Sequence, residues 1–176
     1  MIITVEKLKQ LIDCGNATDE QITAKLEAIE AVIRAYTNNR FQVRTVRFVG
    51  YSEGANVHDD YGVMRHIEVG DTVQITGSDA NDGLYTVVAV DDDHIQLDVD
   101  LFDTDYNMVT KIHYPADVVQ CAVDLYKWKS TMGDKVGVKS ETLSRHSVTY
   151  EDSATLFMGY PVGILNGLAL HKKARC

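Results

Sequence analysis

The change of hydrophobic period near residue 41 is the feature that most limits how this chain can fold. Across residues 22–36 apolar side chains recur every three or four positions, which predicts one amphipathic helix. Across residues 42–49 the period becomes two and β-branched residues dominate, which predicts a strand. Asn38 and Asn39 tolerate left-handed backbone, so they mark the end of the helix. We therefore expect a helical segment that stops abruptly and gives way to β-structure.

Helical signals occur in four places along the sequence. The clearest is the stretch from Thr18 to Gln21, whose spacing is that of an N-terminal capping box. Pro115 suits the first turn of a later helix because its missing amide donor is not needed there. The apolar positions of the other three helices are Val5, Leu8, Leu11 and Ile12 in the first, Val118, Val119, Ala122, Val123, Tyr126 and Met132 in the third, and Ile164, Leu165, Leu168 and Leu170 in a last helix that starts near Tyr160-Pro161.

The middle of the chain reads as β-structure. Turn-forming residues separate short alternating runs, and residues 50–62 are rich in Gly, Ser, Asn and Asp and predict a loop. The runs are residues 42–49, a strand–turn–strand pattern over 66–75, residues 84–90 and residues 94–99. Four or five strands at this spacing predict a small antiparallel barrel or sandwich.

The predicted fold class is α+β. Residues 1–41 and 114–176 would form a small helical bundle of about four helices, and residues 42–113 would form an inserted β-module of barrel or sandwich type. An inserted module usually leaves and re-enters its host at neighbouring points. Phe41 and Tyr114 are therefore expected to lie close together.

The negative charge of the protein is concentrated in the β-module. Residues 42–112 contain 14 Asp/Glu and 4 Lys/Arg, a net charge of −10, whereas the whole chain carries −9. An acidic surface repels phosphate backbones. A barrel resembling the SH3 or OB type is therefore expected to contact protein, although the acidity alone is equally consistent with a role in solubility.

Cysteine usage and hydropathy indicate the compartment. Cys14, Cys121 and Cys176 are widely spaced and form no metal-binding pair, which favours free thiols in a reducing cytosol. No apolar run is long enough to span a bilayer, and the N-terminus lacks the layout of a signal peptide. No membrane association is expected.

Sequence motifs of catalysis are missing, so we expect no enzymatic activity, no cofactor and no metal. The sequence contains no phosphate-binding glycine loop, no HExxH and no GxSxG. Residues 91–94 (DDDH) and 58–60 (HDD) could be imagined as metal ligands, but turn formation between strands explains their Asp content better. Residues 79–83 lack the bidentate Glu of a calcium loop, and His66-Ile67-Glu68 has no partner cysteines for a deaminase site.

Three stretches together resemble the head–tail connector (adaptor) proteins of long-tailed phages. Residues 29–41 (IEAVIRAYTNNRF) resemble the end of that family's second helix, residues 137–150 (GVKSETLSRHSVTY) its segment before the last helix, and residues 159–168 (GYPVGILNGL) its final helix. The resemblance covers about residues 4–41 and 114–173. The β-module at 42–112 is longer than the link of the smallest members.

The resemblance implies a structural virion protein made in the cytoplasm of a bacterial host. Such a subunit assembles into a ring, typically dodecameric, beneath the portal protein and is a monomer before assembly. The ring extends the DNA channel, lets DNA pass without specific binding, and presents a surface for the next neck protein (the stopper) and tail components. If the acidic module faces the channel, it would keep DNA from adhering. The alternative, that the module faces the outside of the ring, stays open.

Two candidate contact surfaces follow from the sequence. The strand-forming segment before residue 150 would pair edge-to-edge with a neighbouring subunit, with candidate interface residues Lys139, Ser147, Val148, Thr149 and Tyr150. The basic end of the last helix would contact the portal, with candidate residues Leu168, Leu170, Lys172, Lys173 and Arg175. A solvated C-terminal cap explains the latter residues equally well.

Two other functions remain open. One is another neck or tail-completion protein, such as a stopper or terminator, in the same virion. The other, from a different class, is a nucleic-acid-binding regulator that uses the β-module, which salt-dependent duplex binding would reveal.

Overall fold

The computed structural model describes residues 1–59, 66–132, 140–143, 146–149 and 156–174. The chain forms two compact units. The first consists of Met1 and Arg40–Tyr114, and the second of Ile2–Asn39 and Pro115–Cys176. We call them the barrel unit and the helical unit. None of the helices in the described ranges combines the length and the apolarity needed to cross a bilayer.

The barrel unit is a closed antiparallel barrel of six strands. Its strands follow one another around the barrel in the order β1-β2-β5-β4-β3-β6, and β6 pairs back onto β1. Closure leaves no unpaired edge. The strands are β1 (Gln42–Glu53), β2 (Asn56–His58), β3 (Thr72–Thr76), β4 (Gly83–Val90), β5 (His94–Leu97) and β6 (Thr104–Ile112).

The two ends of the barrel unit lie next to each other. The rings of Phe41 and Tyr114 are 5.1 Å apart between centroids, and the amide of His113 donates to the carbonyl of Phe41 at 3.0 Å. Phe41 is buried and has a φ of 54°. Left-handed backbone is uncommon for a bulky residue, and burial of the ring offsets that strain. The expectation that Phe41 and Tyr114 lie close together is confirmed.

Alternation along the strands fills the barrel with apolar side chains. In β3, for example, Val73 and Ile75 are fully buried and point inward, as the two-residue period of a strand requires. The core of the barrel consists of Val46, Phe48, Val57, Ile67, Val73, Ile75, Val87, Ile95, Leu97, Leu101 and Val109.

A buried polar network links β1 and β6 to the turn before β4. The side-chain Nδ2 of Asn81 donates to the backbone carbonyl of Phe102 at 2.8 Å and to Ser52 Oγ at 3.2 Å. Its Oδ1 accepts from the backbone amide of Phe102 at 2.9 Å. Asn107 Nδ2 also donates to Ser52 Oγ, at 3.1 Å. Buried polar groups require such partners because each unpaired one costs free energy. The network therefore fixes how these segments meet.

The helical unit is built around α2 (Asp19–Thr37) and α3 (Ala116–Met132), which pack against each other. The predicted capping box is confirmed, since Thr18 and Gln21 each accept a hydrogen bond from the other's backbone. The predicted left-handed stop is also confirmed, with Asn38 at φ 48° and ψ 35°. The smaller elements are α1 (Val5–Leu11), β7 (Ser140–Leu143), β8 (His146–Thr149), β9 (Leu156–Phe157), β10 (Tyr160–Pro161), α4 (Val162–Leu165) and a 3-10 helix (Asn166–His171).

The core of the helical unit comes from the apolar stripes of its helices. Ile22, Leu26, Ile29 and Ile33 of α2 are all at most 1% exposed. The other helices of the unit contribute further buried residues, namely Leu8, Val118, Ala122, Val123, Leu125, Tyr126, Leu165 and Leu168. Burying each such side chain contributes about 1.5–3 kcal/mol. This core holds the N-terminal and C-terminal parts of the chain in one unit.

The predicted fold class needs a correction. Helices combined with an inserted antiparallel barrel broadly match the predicted α+β fold, but the small bundle of about four helices is wrong. The structure has four α-helices and a closed six-stranded barrel, and no four-helix bundle is present in the described part of the chain. Among the helices of the described residues, only α2 and α3 exceed two turns. The last segment fails to form a long helix because Gly163 and Gly167 disfavour helical backbone, and it continues as a 3-10 helix.

Several local predictions also differ from the structure. Residues 66–69 form no strand, whereas β2 lies within the predicted loop and β6 was not predicted at all. The strand predicted before residue 150 is present as β8, but its antiparallel partner β7 was not predicted. Leu11 is 55% exposed and lies off the core. Residues 79–83 do join β3 and β4, which pair with each other as in a hairpin.

Replacing Asn81 with Ala should lower the free energy of unfolding by about 1–3 kcal/mol, because the carbonyl and amide of Phe102 lose their buried partner. Urea unfolding followed by circular dichroism measures the change. Gln96, on the outside of β5, is exposed, and Gln96→Ala is the matched control with an effect near zero. Equal stability of the two variants would show that the network contributes nothing.

Candidate functional site

The segment that ends the described chain is fastened to the end of α2. Thr37 accepts a hydrogen bond from the amide of Lys173 at 2.8 Å through its carbonyl oxygen. Asn38 Nδ2 donates to the carbonyl of Ala174 at 3.0 Å, and Asn39 Nδ2 donates to the carbonyl of His171 at 3.1 Å. Backbone groups that follow a helix end are satisfied in this way by side chains. We call residues 170–174 the C-terminal strip.

Tyr36 provides two further contacts to this region. Its hydroxyl donates to Asn166 Oδ1 at 2.6 Å, and the ammonium of Lys172 lies 3.8 Å from the centre of its ring. A cation over an aromatic face is worth about 0.5–1 kcal/mol at an exposed site. The C-terminal strip is therefore held in one position although it lies on the surface.

A hydrogen bond between a histidine and a carboxylate anchors the start of the C-terminal strip to α3. His171 Nε2 lies 2.6 Å from Asp117 Oδ2. The hydrogen bond to His171, followed by charge attraction, holds the pKa of the Asp117 carboxyl below its usual range. Asp117 also lies in the first turn of α3, where a negative charge is favoured by the helix dipole.

The strip presents one large apolar side chain and two cations. Leu170 is 96% exposed, and Lys172 and Lys173 are exposed as well. Leu168, the other predicted apolar portal contact, is 1% exposed and belongs to the core. Arg175 lies outside the described residues. Of the predicted portal-contact residues, then, Leu170, Lys172 and Lys173 are brought together at the surface.

Three of the five predicted subunit-interface residues lie in β8. Ser147, Val148 and Thr149 form most of this strand, which pairs in register with β7 only. Lys139 and Tyr150 lie outside the described residues. Both strands thus have one edge without a partner in the described part of the chain, and such an edge is a template for pairing with another strand.

Histidines and carboxylates meet at a second place, on the barrel unit. Suitable ligand atoms of His58, Asp93 and His94 all lie within 4.8 Å of one another. Sequence reasoning assigned 58–60 and 91–94 to separate turns, and it missed this juxtaposition because strand pairing between β2 and β5 creates it. Asp60 lies outside the described residues. No sequence signal other than the two histidines could have indicated the cluster.

A cleft of about 380 Å³ opens on the barrel unit and is lined by Tyr51, Ser52, Gly77, Asp79, Asp103, Thr104, Asp105 and Tyr106. Three of these side chains are carboxylates. Their charge repels anionic ligands such as phosphates. The cleft therefore extends the acidic surface predicted from the sequence.

The buried cysteine of the helical unit is poorly suited to nucleophilic chemistry. Burial, with smaller contributions from Asp124 and Asp117, raises the pKa of the Cys121 thiol to about 11. The thiolate is the reactive form, so little of it exists near neutral pH. Cys14 and Cys121 are both free thiols.

Comparison with known proteins gives no relative to set beside this geometry. No family model matches the chain, and no curated protein matches it. The resemblance to head–tail connectors is therefore carried by the three sequence stretches alone.

Acid should weaken the helical unit partly through Asp117. A carboxyl with a lowered folded-state pKa stabilises the fold above its unfolded pKa, and this contribution is lost as the pH falls through the folded value, from about pH 4 downward. Asp117→Asn should therefore be slightly less stable near neutral pH and lose less stability on acidification.

Fluorescence of Trp128, the only tryptophan of the chain, reports unfolding of the helical unit. Asp124→Asn on the same helix is the matched control, because Asp124 bonds only to the exposed Gln120 in the described structure. If Asp117→Asn shows the same loss of stability with acid as the wild type, the Asp117–His171 contact does not contribute to acid sensitivity.

Proposed function

We propose that this protein is a structural subunit of a phage virion, a ring-forming head–tail connector that docks beneath the portal. The observation that carries the proposal is a hydrogen bond between two of the stretches that resemble connectors. Two of the three stretches that resemble connectors, residues 29–41 and 159–168, lie far apart in sequence, yet Tyr36 and Asn166 bond directly. A shared structural element would keep both stretches together.

The C-terminal strip supports a docking role. Leu170 offers a large apolar anchor, and the flanking lysines offer charge that an acidic surface would attract. Because hydrogen bonds with Thr37, which accepts, and with Asn38 and Asn39, which donate, already order the backbone, little conformational entropy is lost on binding. Repetition of such a small contact around a ring would add up to stable attachment.

The β7–β8 pair supports a role in subunit contact. Edge pairing with a neighbouring copy would use main-chain hydrogen bonds and needs no deep pocket. In this proposal the free protein is a monomer, and the portal brings subunits close enough for their edges to pair. A stopper or terminator would use the same elements but would bind tail components in place of the portal.

Acidity of the barrel unit argues against the nucleic-acid regulator. Asp91, Asp92, Asp93, Asp98, Asp100, Asp103 and Asp105 are all exposed on it. Proteins that bind duplex DNA neutralise phosphates with Lys and Arg. We propose that the barrel unit contacts protein, and that DNA passing through the ring is not bound.

Substituting the C-terminal strip should abolish attachment to the portal without unfolding the protein. In the variant Leu170→Ser/Lys173→Glu the apolar anchor and one cation are lost, while the buried Leu165 and Leu168 stay in place. The same chemical change at exposed residues elsewhere, Val99→Ser/Lys7→Glu, is the matched control. A deletion of 164–176 would be less informative, because it would remove two core leucines.

The measurement is co-sedimentation with a portal protein of a long-tailed phage, followed by negative-stain imaging. We expect rings on the portal for the wild type and the control and none for the strip variant. Attachment to isolated tails in place of the portal would favour the stopper or terminator. Duplex DNA binding that weakens steeply with salt would favour the regulator and contradict the connector.

A further inference from the structure

The register of three barrel strands places one tyrosine and two histidines side by side. Tyr51 of β1 pairs with His58 of β2, and His58 pairs with His94 of β5. Val57 and Ile95, which neighbour the histidines in sequence, are fully buried in the barrel. Since successive side chains of a strand point to opposite faces, both histidines lie on the outer face.

The hydrogen-bond pattern brings the two imidazoles close. The amide of Asp59 donates to the carbonyl of Asp93, and the amide of Leu97 donates to that of Ala55. Hydrogen-bonded and non-hydrogen-bonded pairs alternate along an antiparallel ladder, so the bond from Asp59 to Asp93 makes the neighbouring pair, His58 and His94, a non-hydrogen-bonded one. The side chains of such a pair approach more closely than those of a hydrogen-bonded pair. The ring centroids are 5.1 Å apart.

Two carboxylates surround His94. Asp93 Oδ1 lies 2.8 Å from its Nδ1, and Asp91 Oδ2 lies 3.4 Å from its Nε2. One carboxylate thus lies beside each nitrogen of the same ring.

The backbone and ring of His58 are also held in place. Its imidazole stacks on the ring of Tyr51, with centroids 4.6 Å apart and planes inclined by 6°. Gly50 of β1 lies so close that a Cβ there would collide with the His58 carbonyl. The barrel therefore presents His58 in a restricted position before any ligand arrives.

We propose that His58, His94 and Asp93 bind a divalent transition-metal ion of the Zn²⁺, Ni²⁺ or Cu²⁺ type. Two imidazoles and one carboxylate are ligands that these ions prefer, whereas Mg²⁺ and Ca²⁺ prefer oxygen ligands alone. Nδ1 of His94 would bind the ion and its Nε2–H would donate to Asp91, the outer carboxylate that commonly orients a metal-bound histidine. Water would complete the coordination.

Side-chain adjustments needed for binding are small. Ligand atoms on one tetrahedral Zn²⁺ lie roughly 3.3 Å apart, given metal–ligand distances of about 2.0–2.1 Å. The three ligand atoms here already lie within 4.8 Å of one another, and the His94 side chain is 25% exposed and open to an ion. Turn formation alone explains why Asp occurs at positions 91 and 93. It does not explain why two histidines stand directly opposite each other on neighbouring strands.

The test is calorimetric titration of Zn²⁺ into the full chain, purified without a polyhistidine tag and freed of metal with a chelator. We expect one ion to bind per chain. His58→Ala and His94→Ala should each weaken binding by more than the roughly 10- to 100-fold typical of losing an outer partner. His113→Ala, an exposed histidine elsewhere on the barrel unit, should bind like the wild type. Added Mg²⁺ should not compete.

Two results would overturn the proposal. One is no saturable Zn²⁺ binding by the wild type, and the other is unchanged affinity in both His58→Ala and His94→Ala. Circular dichroism shows whether each variant is folded. If a histidine variant does not fold, Asp93→Asn replaces it, since it keeps the side-chain size and removes the charged ligand; unchanged affinity there would equally contradict the site. The outcome is independent of whether the protein is a connector.

Discussion

The contact between Phe41 and Tyr114 is the constraint on which the rest of the structure depends. It joins the first and last residues of a unit of about seventy-five residues, and the hydrogen bond from His113 to Phe41 closes the same point through the backbone. Because the chain returns to where it left, α2 and α3, which flank the barrel unit in sequence, can pack on each other. The barrel can then be an insertion that leaves the helical core continuous.

Sequence reasoning succeeded where the signal is local. The capping box at Thr18 and the left-handed stop at Asn38 follow from side chains that bond to their own backbone, and both are present. The barrel strand β6 was missed because buried Asn107, on the same face of the strand as the core residue Val109, puts a polar residue where an alternating pattern would place an apolar one. The last helix was overpredicted because its leucines fit a helical stripe while its glycines favour other backbone.

Features of the candidate sites were harder to predict because they depend on long-range pairing. The C-terminal strip was recognised as basic, but only the structure shows Asn38 and Asn39 as its anchors and Leu168 as core. The two histidines of the proposed metal site are thirty-six positions apart and come together through the β2–β5 register. No period or motif in a single sequence encodes that proximity.

The helical unit is built from residues on both sides of the barrel unit in sequence, and this sets the order in which the two units can fold during synthesis. All strands of the barrel lie within residues 42–112, so the barrel can close while the ribosome is still adding the rest. The end of α2 has partners at residues 171–174, and its core partners lie on α3. The first helices therefore stay incompletely buried until residues 116–174 have emerged, and the surface that we propose for docking takes shape only after the barrel.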